Sequence, residues 1–247
     1  MIKHLPGTIF LVLTIYTKLY GQSVITSPDY QTTMLSNPAL TGTEGNGYIR
    51  LSYMNLYPGN SYNLHSVICS YDGYFPALHG GVGFFVSNDY LGGIINNLSG
   101  GFSYAYFLQA GKDLYITAGL SASFLHRGYS FSDAVMPDQI DPLRGVVIPS
   151  GEFLSSRGNN VLDLSSGFLL IAGRYLLGIS VSHLAEPDVD NSEFSEGKML
   201  RRLLVHAAGD FNISKERNLK IRPLGIFEYQ DGFISGCATK GTIGTLE

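Results

Sequence analysis

Charged residues are scarce in this chain. Asp, Glu, Lys and Arg make up 15% of its 247 residues, whereas a typical soluble domain has about 25%. The formal net charge is −4, so the chain lacks the basic excess that binds nucleic acid. We therefore expect no nucleic-acid partner.

Cysteine is nearly absent, and metal-site spacings are missing. The two cysteines, Cys69 and Cys237, lie far apart in the sequence. A disulfide between them is conceivable in an oxidising compartment, and two unpaired thiols are the simpler interpretation. No Cys-x-x-Cys or His-x-x-x-His pair occurs, although such short spacings are typical of metal sites. The sequence therefore predicts neither a metal nor a cofactor.

Long apolar runs are missing after the N-terminus. None reaches about 18 uncharged apolar residues, so helical membrane spans are excluded. At the N-terminus, Lys3 and His4 precede the apolar run 9–15 and then Leu19-Tyr20-Gly21-Gln22. This order is typical of a secretory signal. We predict a signal peptide over residues 1–21; a buried N-terminal helix is the alternative.

What the chain has in quantity is glycine and aromatic residues, with 30 Gly, 16 Tyr and 14 Phe. Residues 161–187 show how they are arranged, because apolar and small or polar side chains alternate on either side of Gly173-Arg174. Side chains of a strand point to opposite faces with period 2. The stretch therefore predicts a β-hairpin with one apolar face and one small, polar face.

The same alternation recurs along the chain. It predicts further strands near residues 48–54, 62–71, 81–86, 98–109, 114–124, 203–213 and 219–229. Apolar residues facing lipid and polar residues facing a lumen are typical of a membrane barrel. We predict an all-β protein, a transmembrane antiparallel β-barrel of the outer-membrane type over residues 22–247. A soluble glycine-rich β-sandwich is the alternative.

Two features bear on the ends of this barrel. Long connections are predicted at residues 132–160 and 185–199, and short ones at 110–113, 173–174 and 215–218. In outer-membrane barrels the long loops are external and the short turns periplasmic.

The acidic residues 186–196 offer oxygen ligands that suit Ca²⁺, and an ordinary solvated loop is the simpler interpretation.

The end of the chain departs from the pattern. Residues 232–247 do not alternate clearly, which leaves a count of nine strands, whereas bacterial single-chain barrels normally have an even number. We therefore expect an incomplete barrel from a C-terminally truncated chain. Pro223 inside the last predicted strand indicates a bulge or an interrupted ladder.

No catalytic constellation is recognisable. Gly80-Gly81-Val82-Gly83 lacks the spacing of a phosphate loop and is interpreted as strand glycines. Ser180 and His183 are three apart, so on a strand they point to opposite faces, which argues against a nucleophile and its base. For His183 we expect a hydrogen bond in preference to a ligand role, and for Asp163 and Arg174 polar contacts in the lumen or at its rim.

Two stretches, Asn37-Pro38-Ala39-Leu40-Thr41-Gly42 and the hairpin of residues 161–187, together resemble the PorP/SprF family of the type IX secretion system of Bacteroidota. The segment Asn37-Pro38-Ala39-Leu40-Thr41-Gly42 is similar to an N-terminal turn of that family. The hairpin is similar to a second, more specific motif. The residues that carry the resemblance are Asn37, Pro38, Gly42, Asp163, Gly167, Tyr175, Gly178, Ser180, His183, Leu184 and Pro187. The resemblance runs from about Ser27 to Phe233.

The resemblance implies a function that composition alone does not. It implies a non-enzymatic barrel in the bacterial outer membrane, part of the type IX secretion and gliding machinery. Its expected partners are outer-membrane lipids, periplasmic secretion components that meet the 27–45 turn segment, and a secreted surface protein or adhesin. A passive porin-like channel is the alternative, and a membrane-embedded hydrolase is a third hypothesis.

Overall fold

The structure, a computed structural model, describes residues 33–56, 58–59, 64–131, 140–141, 145–146, 157–189, 197–214 and 219–243. The predicted signal peptide, most of the predicted loop 132–160 and part of the acidic loop lie outside these residues. Among the described residues, no helix is long and apolar enough to cross a membrane.

Thirteen strand segments make up most of the described chain. They are β1 (Tyr48–Leu56), β2 (Leu64–Phe75), β3 (Gly80–Leu91), β4 (Ile95–Gln109), β5 (Leu114–Tyr129), β6 (Ile140–Asp141), β7 (Gly145–Val146), β8 (Arg157–Ala172), β9 (Tyr175–Ser182), β10 (Arg202–Gly209), β11 (Phe211–Ser214), β12 (Leu219–Gln230) and β13 (Phe233–Ile243). The fold is therefore nearly all-β, as predicted.

One antiparallel sheet contains every segment except β6 and β7, which pair with each other. Strands that follow one another in the sequence lie side by side, from β1–β2 through β12–β13. Because β10 and β11 lie end to end along β12, the eleven segments of the sheet fill ten positions. Short turns connect most neighbours, which explains this simple up-and-down order.

The two faces of the sheet differ sharply. Along β8, Leu162 is 70% exposed, Asp163 is 7% exposed and Leu164 is 49% exposed. Among the described residues, the buried side chains are mostly polar, fourteen against eight hydrophobic ones. This reverses the usual distribution in a soluble protein. We call the apolar, exposed side the outer face and the small, polar side the inner face.

The final strand corrects the sequence analysis. Residues 232–247 were not expected to continue the sheet, yet β13 pairs with β12 from Gln230 opposite Phe233 to Lys220 opposite Ile243. Its composition of Gly, Ala, Ser and Thr gives little hydrophobic alternation, so the pattern failed to reveal it. Backbone pairing with a neighbouring strand is what defines it, and the strand count becomes ten.

Another correction concerns the predicted loop 132–160. Strand β8 already begins at Arg157, where it pairs with the end of β5, and β6 and β7 form a small separate ladder. The residues at the start of β8 are Gly and Asn, which favour turns. Pairing with β5 outweighs that local preference.

The prediction for Pro223 is confirmed. Opposite it, the neighbouring strand divides into β10 and β11, since pairing with β12 ends at Ala208–Leu224 and resumes at Phe211–Ile221. Proline has no N–H to donate to a ladder. Among the described strands β1 and β13 do not pair with each other, so the sheet is not closed and corresponds to an incomplete barrel.

Candidate functional site: a strap across the inner face

Residues 33–43 lie on the inner face of the sheet, and we call them the strap. They form a helical turn, Thr33–Ser36, followed by a 3-10 turn, Pro38–Leu40. Asn37 caps the second turn, because its Oδ1 accepts the Ala39 N–H at 2.9 Å. Proline suits the first position of a helical turn. The sequence Asn-Pro-Ala thus sets the shape of the strap locally.

The strap crosses the sheet strand by strand. At its beginning the Ser36 carbonyl accepts a hydrogen bond from Ser180 of β9 at 2.7 Å. Further along, Thr41 and Ser103 of β4 share a hydrogen bond of 2.7 Å. At its end the Gly42 N–H donates to Asp72 of β2 at 2.9 Å. Fewer than ten residues therefore connect opposite parts of the inner face.

Asn37 makes the most contacts within the strap. Its side chain is fully buried, and its Nδ2 lies 3.0 Å from His206 Nε2 and 3.4 Å from the carbonyls of Phe168 and Ile179. Because Nδ2 is a donor, His206 Nε2 must accept, which places the imidazole proton on Nδ1. One amide thereby connects β8, β9 and β10.

A row of small residues makes room for the strap. Strand register places Gly81 opposite Ala105, Ala105 opposite Gly119, Gly119 opposite Gly167, and Gly167 opposite Ser180. A Cβ on Gly119 would overlap the backbone of Pro38 and Ala39, and one on Gly81 would overlap the Thr41 carbonyl. Glycine in a strand often marks such a close backbone approach.

An ion cluster holds the end of the strap. Asp72 is 1% exposed and accepts both the Gly42 N–H and the guanidinium of Arg50. Arg50 also pairs with Glu44 at 2.8 Å. A buried carboxylate is stable only when it is paired and hydrogen-bonded. The cluster therefore links the strap to β1 and β2.

The residues of the second motif fall into separate places. Gly167, Gly178 and Ser180 line the strap, whereas Asp163 and His183 form a pair at 2.9 Å beyond it. Tyr175 is on the outer face, 55% exposed, with its ring 6.1 Å from that of Phe211.

The Asp163–His183 pair stabilises the turn after β9. His183 has a positive φ of 59°, which is uncommon outside glycine. Leu184 N–H donates to the Leu164 carbonyl at 2.9 Å, and the Pro187 carbonyl accepts the Met199 N–H at 3.0 Å. The expected hydrogen bond of His183 is confirmed by its contact with Asp163.

A cleft of about 580 Å³ lies beside the strap. It is bounded by Thr33 and Leu40 of the strap and by the inner faces of β10 and β12. At its mouth Arg222 forms a two-point ion pair with Asp210, at 2.5 and 2.9 Å. Arg174, expected to make a polar contact at the rim, lines the same cleft and lies 5.8 Å from the ring of Tyr175.

The described residues offer little for catalysis. Ser180 is occupied by the Ser36 carbonyl and His183 by Asp163. Within the part of the chain that the structure describes, there is no group of three His, Cys, Asp or Glu residues fit to hold a metal. Gly80–Gly83 belong to β3, as expected, and Cys69 is a free, exposed thiol.

Several residues of this site are absent from the residues predicted from the sequence. His206, Asp72 and Arg50 were not singled out, because each is one polar residue inside an alternating strand. The signal that was available is their position: all three fall on the inner-face side of the alternation. These residues meet at the strap because of the register between strands, and that register cannot be read from the alternation of residues alone.

An antiparallel sheet with an apolar outer face, and with a polar inner face crossed by a strap, is typical of the class of membrane proteins that cross the bilayer with strands. The family comparison is more specific. The chain belongs to the family described as type IX secretion system membrane protein PorP/SprF, whose sequence pattern matches residues 20–236. This confirms the resemblance. No curated protein matches the chain.

Proposed function

We propose that this protein is a non-enzymatic outer-membrane component of the type IX secretion and gliding machinery. It helps to export a partner protein or to attach it to the cell surface. Membership of a type IX secretion membrane family supports the general part of this proposal. The particular role rests on the arrangement of the two faces.

The outer face is the observation that carries the proposal. Phe102 is 72% exposed, Leu120 is 65% exposed and Leu162 is 70% exposed, all on the same side of neighbouring strands. A monomeric soluble protein rarely exposes such a contiguous apolar surface. Such a surface is suited to contact with lipid. Bacterial proteins that cross a membrane with β-strands lie in the outer membrane, so we assign this protein to the outer membrane.

The strap favours a secretion component over an open pore. It lies across the inner face from β10 to β2, and Asn37 and Thr41 within it are fully buried. A passive channel needs a water-filled lumen lined by polar groups. Here the small polar side chains of the lumen are used to bind the chain's own strap. A hydrolase is disfavoured because Ser180 and His183 already have structural partners.

The two ends of the sheet suit different partners. The connections at residues 76–79, 110–113 and 173–174 lie at one end, and the 183–201 connection lies at the other. We assign the short-turn end to the periplasm and its secretion components, and the other end to the exported surface protein. Most of residues 33–43 are buried. Within the described part of the 27–45 segment we therefore assign the periplasmic contact to the exposed residues 44 and 45, together with the adjoining exposed residues 46 and 47. Residues 1–21 are proposed as the signal peptide and 22–247 as the barrel domain.

The test is a pull-down of a tagged full chain from outer membranes, with fractionation of the same cells. We expect the chain in the outer-membrane fraction together with periplasmic secretion components and one large surface protein. Recovery of a folded chain without any partner, combined with steady conductance in planar bilayers, would instead support the porin-like alternative.

A further inference from the structure

The strap is held on the sheet as a ligand is held in a site. Its contacts with β2, β4, β9 and β10 are hydrogen bonds and packing. Its covalent connection to the sheet, residues 44–47, is exposed, and it is fixed only at its start, where Glu44 pairs with Arg50 and the Gly45 carbonyl accepts the Tyr74 N–H at 3.1 Å. The strap and its groove can therefore be considered as two partners that share one chain.

The groove is built by the strands themselves. Gly81, Ala105, Gly119, Gly167 and Ser180 come together through the register of five paired strands. These ladders are backbone pairs between strands, and no strap residue takes part in them. A site that is formed before its ligand binds loses less entropy on binding.

We propose that this groove is a peptide-binding site in its own right, that it recognises the sequence Asn-Pro-Ala, and that the strap fills it within the chain. The ligand class is a short peptide with a turn at Asn-Pro. This proposal does not depend on the protein's function in secretion.

Asn37 determines the specificity. Its Oδ1 accepts the Ala39 N–H inside the peptide, and its Nδ2 donates outward to His206 and to two strand carbonyls. Aspartate would keep the first bond and lose the donors. Glutamine would carry an extra methylene toward Gly167 and Gly178, which already approach Asn37 closely. Asparagine is thus the residue that can both accept the Ala39 N–H within the peptide and donate to the groove.

The close packing of the groove limits which side chains fit at the next two positions, Pro38 and Ala39. Pro38 and Ala39 lie over Gly119, and Ala39 is fully buried. A larger side chain in place of Ala39 has no free volume to occupy. Proline also presents no N–H, which at a buried position against a strand would need a partner.

The experiment separates the strap from the sheet after folding. A protease site is inserted between Gly45 and Asn46 of the full chain, and the purified, folded protein is cleaved. A labelled peptide with the sequence of residues 33–45, which keeps the Glu44 and Gly45 contacts of the cleaved fragment, is then added. Bound peptide is followed by fluorescence anisotropy, and release of the original N-terminal fragment by mass spectrometry.

We expect the N-terminal fragment to stay bound after cleavage and to be exchanged by excess peptide. A peptide carrying Asn37→Asp should compete on the order of tenfold or more weakly, because it loses buried donors. A peptide carrying Leu35→Ala is the control, since Leu35 makes none of these hydrogen bonds, and should compete nearly as well as the original. Folding of the host is unaffected by any peptide change.

Two results would overturn the proposal. In one, the fragment leaves on cleavage and no added peptide binds to the intact sheet. In the other, the Asn37→Asp peptide competes as well as the original, which would mean that the groove holds a chain without reading its sequence.

Discussion

Replacing Gly119 with alanine should displace the strap from the inner face. The added Cβ would overlap the backbone of Pro38 and Ala39. A backbone cannot rotate away as a side chain can, so either the strap or β5 must shift. Gly100→Ala is a matched control one strand away, because the nearest atom to its added Cβ is the Phe85 carbonyl oxygen at 3.5 Å, an ordinary contact.

The magnitude follows from the clash alone. Overpacking costs about 1–3 kcal/mol, whereas the preference of a strand for alanine over glycine acts equally with the strap bound or displaced and cancels. Gly119→Ala should therefore destabilise the bound strap by about 1–3 kcal/mol, and Gly100→Ala should leave the strap equilibrium unchanged. A difference of about 2 kcal/mol between the variants corresponds to roughly a thirtyfold larger population with the strap displaced.

Thiol labelling measures that population. The protein carries Ser36→Cys in a background with Cys69→Ala and Cys237→Ala, and Ser36 itself is 7% exposed. A water-soluble maleimide should react roughly thirty times faster with the Gly119→Ala protein than with the Gly100→Ala protein. Equal labelling rates in two correctly folded variants would refute the reasoning about close packing under the strap.

Three further changes probe separate parts of the molecule. Asp72→Asn should lower the free energy of unfolding in urea titrations by about 1.5–3 kcal/mol, the value of hydrogen bonds to a charged group. Asp210→Asn, in the exposed pair with Arg222, is the control and should lower it by less than about 1 kcal/mol. Equal losses would contradict the conclusion that the buried Asp72 holds the strap. Asp163→Asn should weaken the contact with His183 and speed proteolysis at the 183–201 connection without changing the labelling rate of the strap, and faster labelling would show that the two sites are coupled. Leu120→Lys should make the free energy of folding into lipid vesicles less favourable by about 2–4 kcal/mol, the cost of a lysine near the bilayer midplane. Asn96→Lys, at an exposed position near the start of β4, is the control and should have little effect. An unchanged free energy for Leu120→Lys would argue against a lipid-facing outer surface.

The strands were predictable because alternation is a local property. The faces of the hairpin were assigned from residues such as Leu162, Asp163 and Leu164, and their exposures in the structure follow the same alternation. The Asn-Pro-Ala turn was also predictable, since Asn37 and Pro38 fix it through contacts within a few residues. Strand β13 was missed because small residues show no hydrophobic period.

The local motifs of the site were predictable, but the contacts that bring them together were not. Gly119 looks like any strand glycine, and His206 like any strand histidine, until register places one under Pro38 and the other beside Asn37. These contacts join residues more than 70 positions apart along the chain, as for Asn37 and His206, which are separated by 169. The alternation fixes which face each residue lies on, but it does not reveal which residues of distant strands lie opposite one another.

Site-specific photo-cross-linking in living cells would test the central claim most directly. A cross-linking amino acid is placed at Asn46, in the exposed connection after the strap, at Ala185, at the opposite end of the sheet, and at Leu120 as a lipid-facing control. The account predicts that Asn46 captures periplasmic secretion components, that Ala185 captures the exported surface protein, and that Leu120 captures neither. Capture of the surface protein at Asn46, or of no partner at either end in cells that secrete normally, would contradict it.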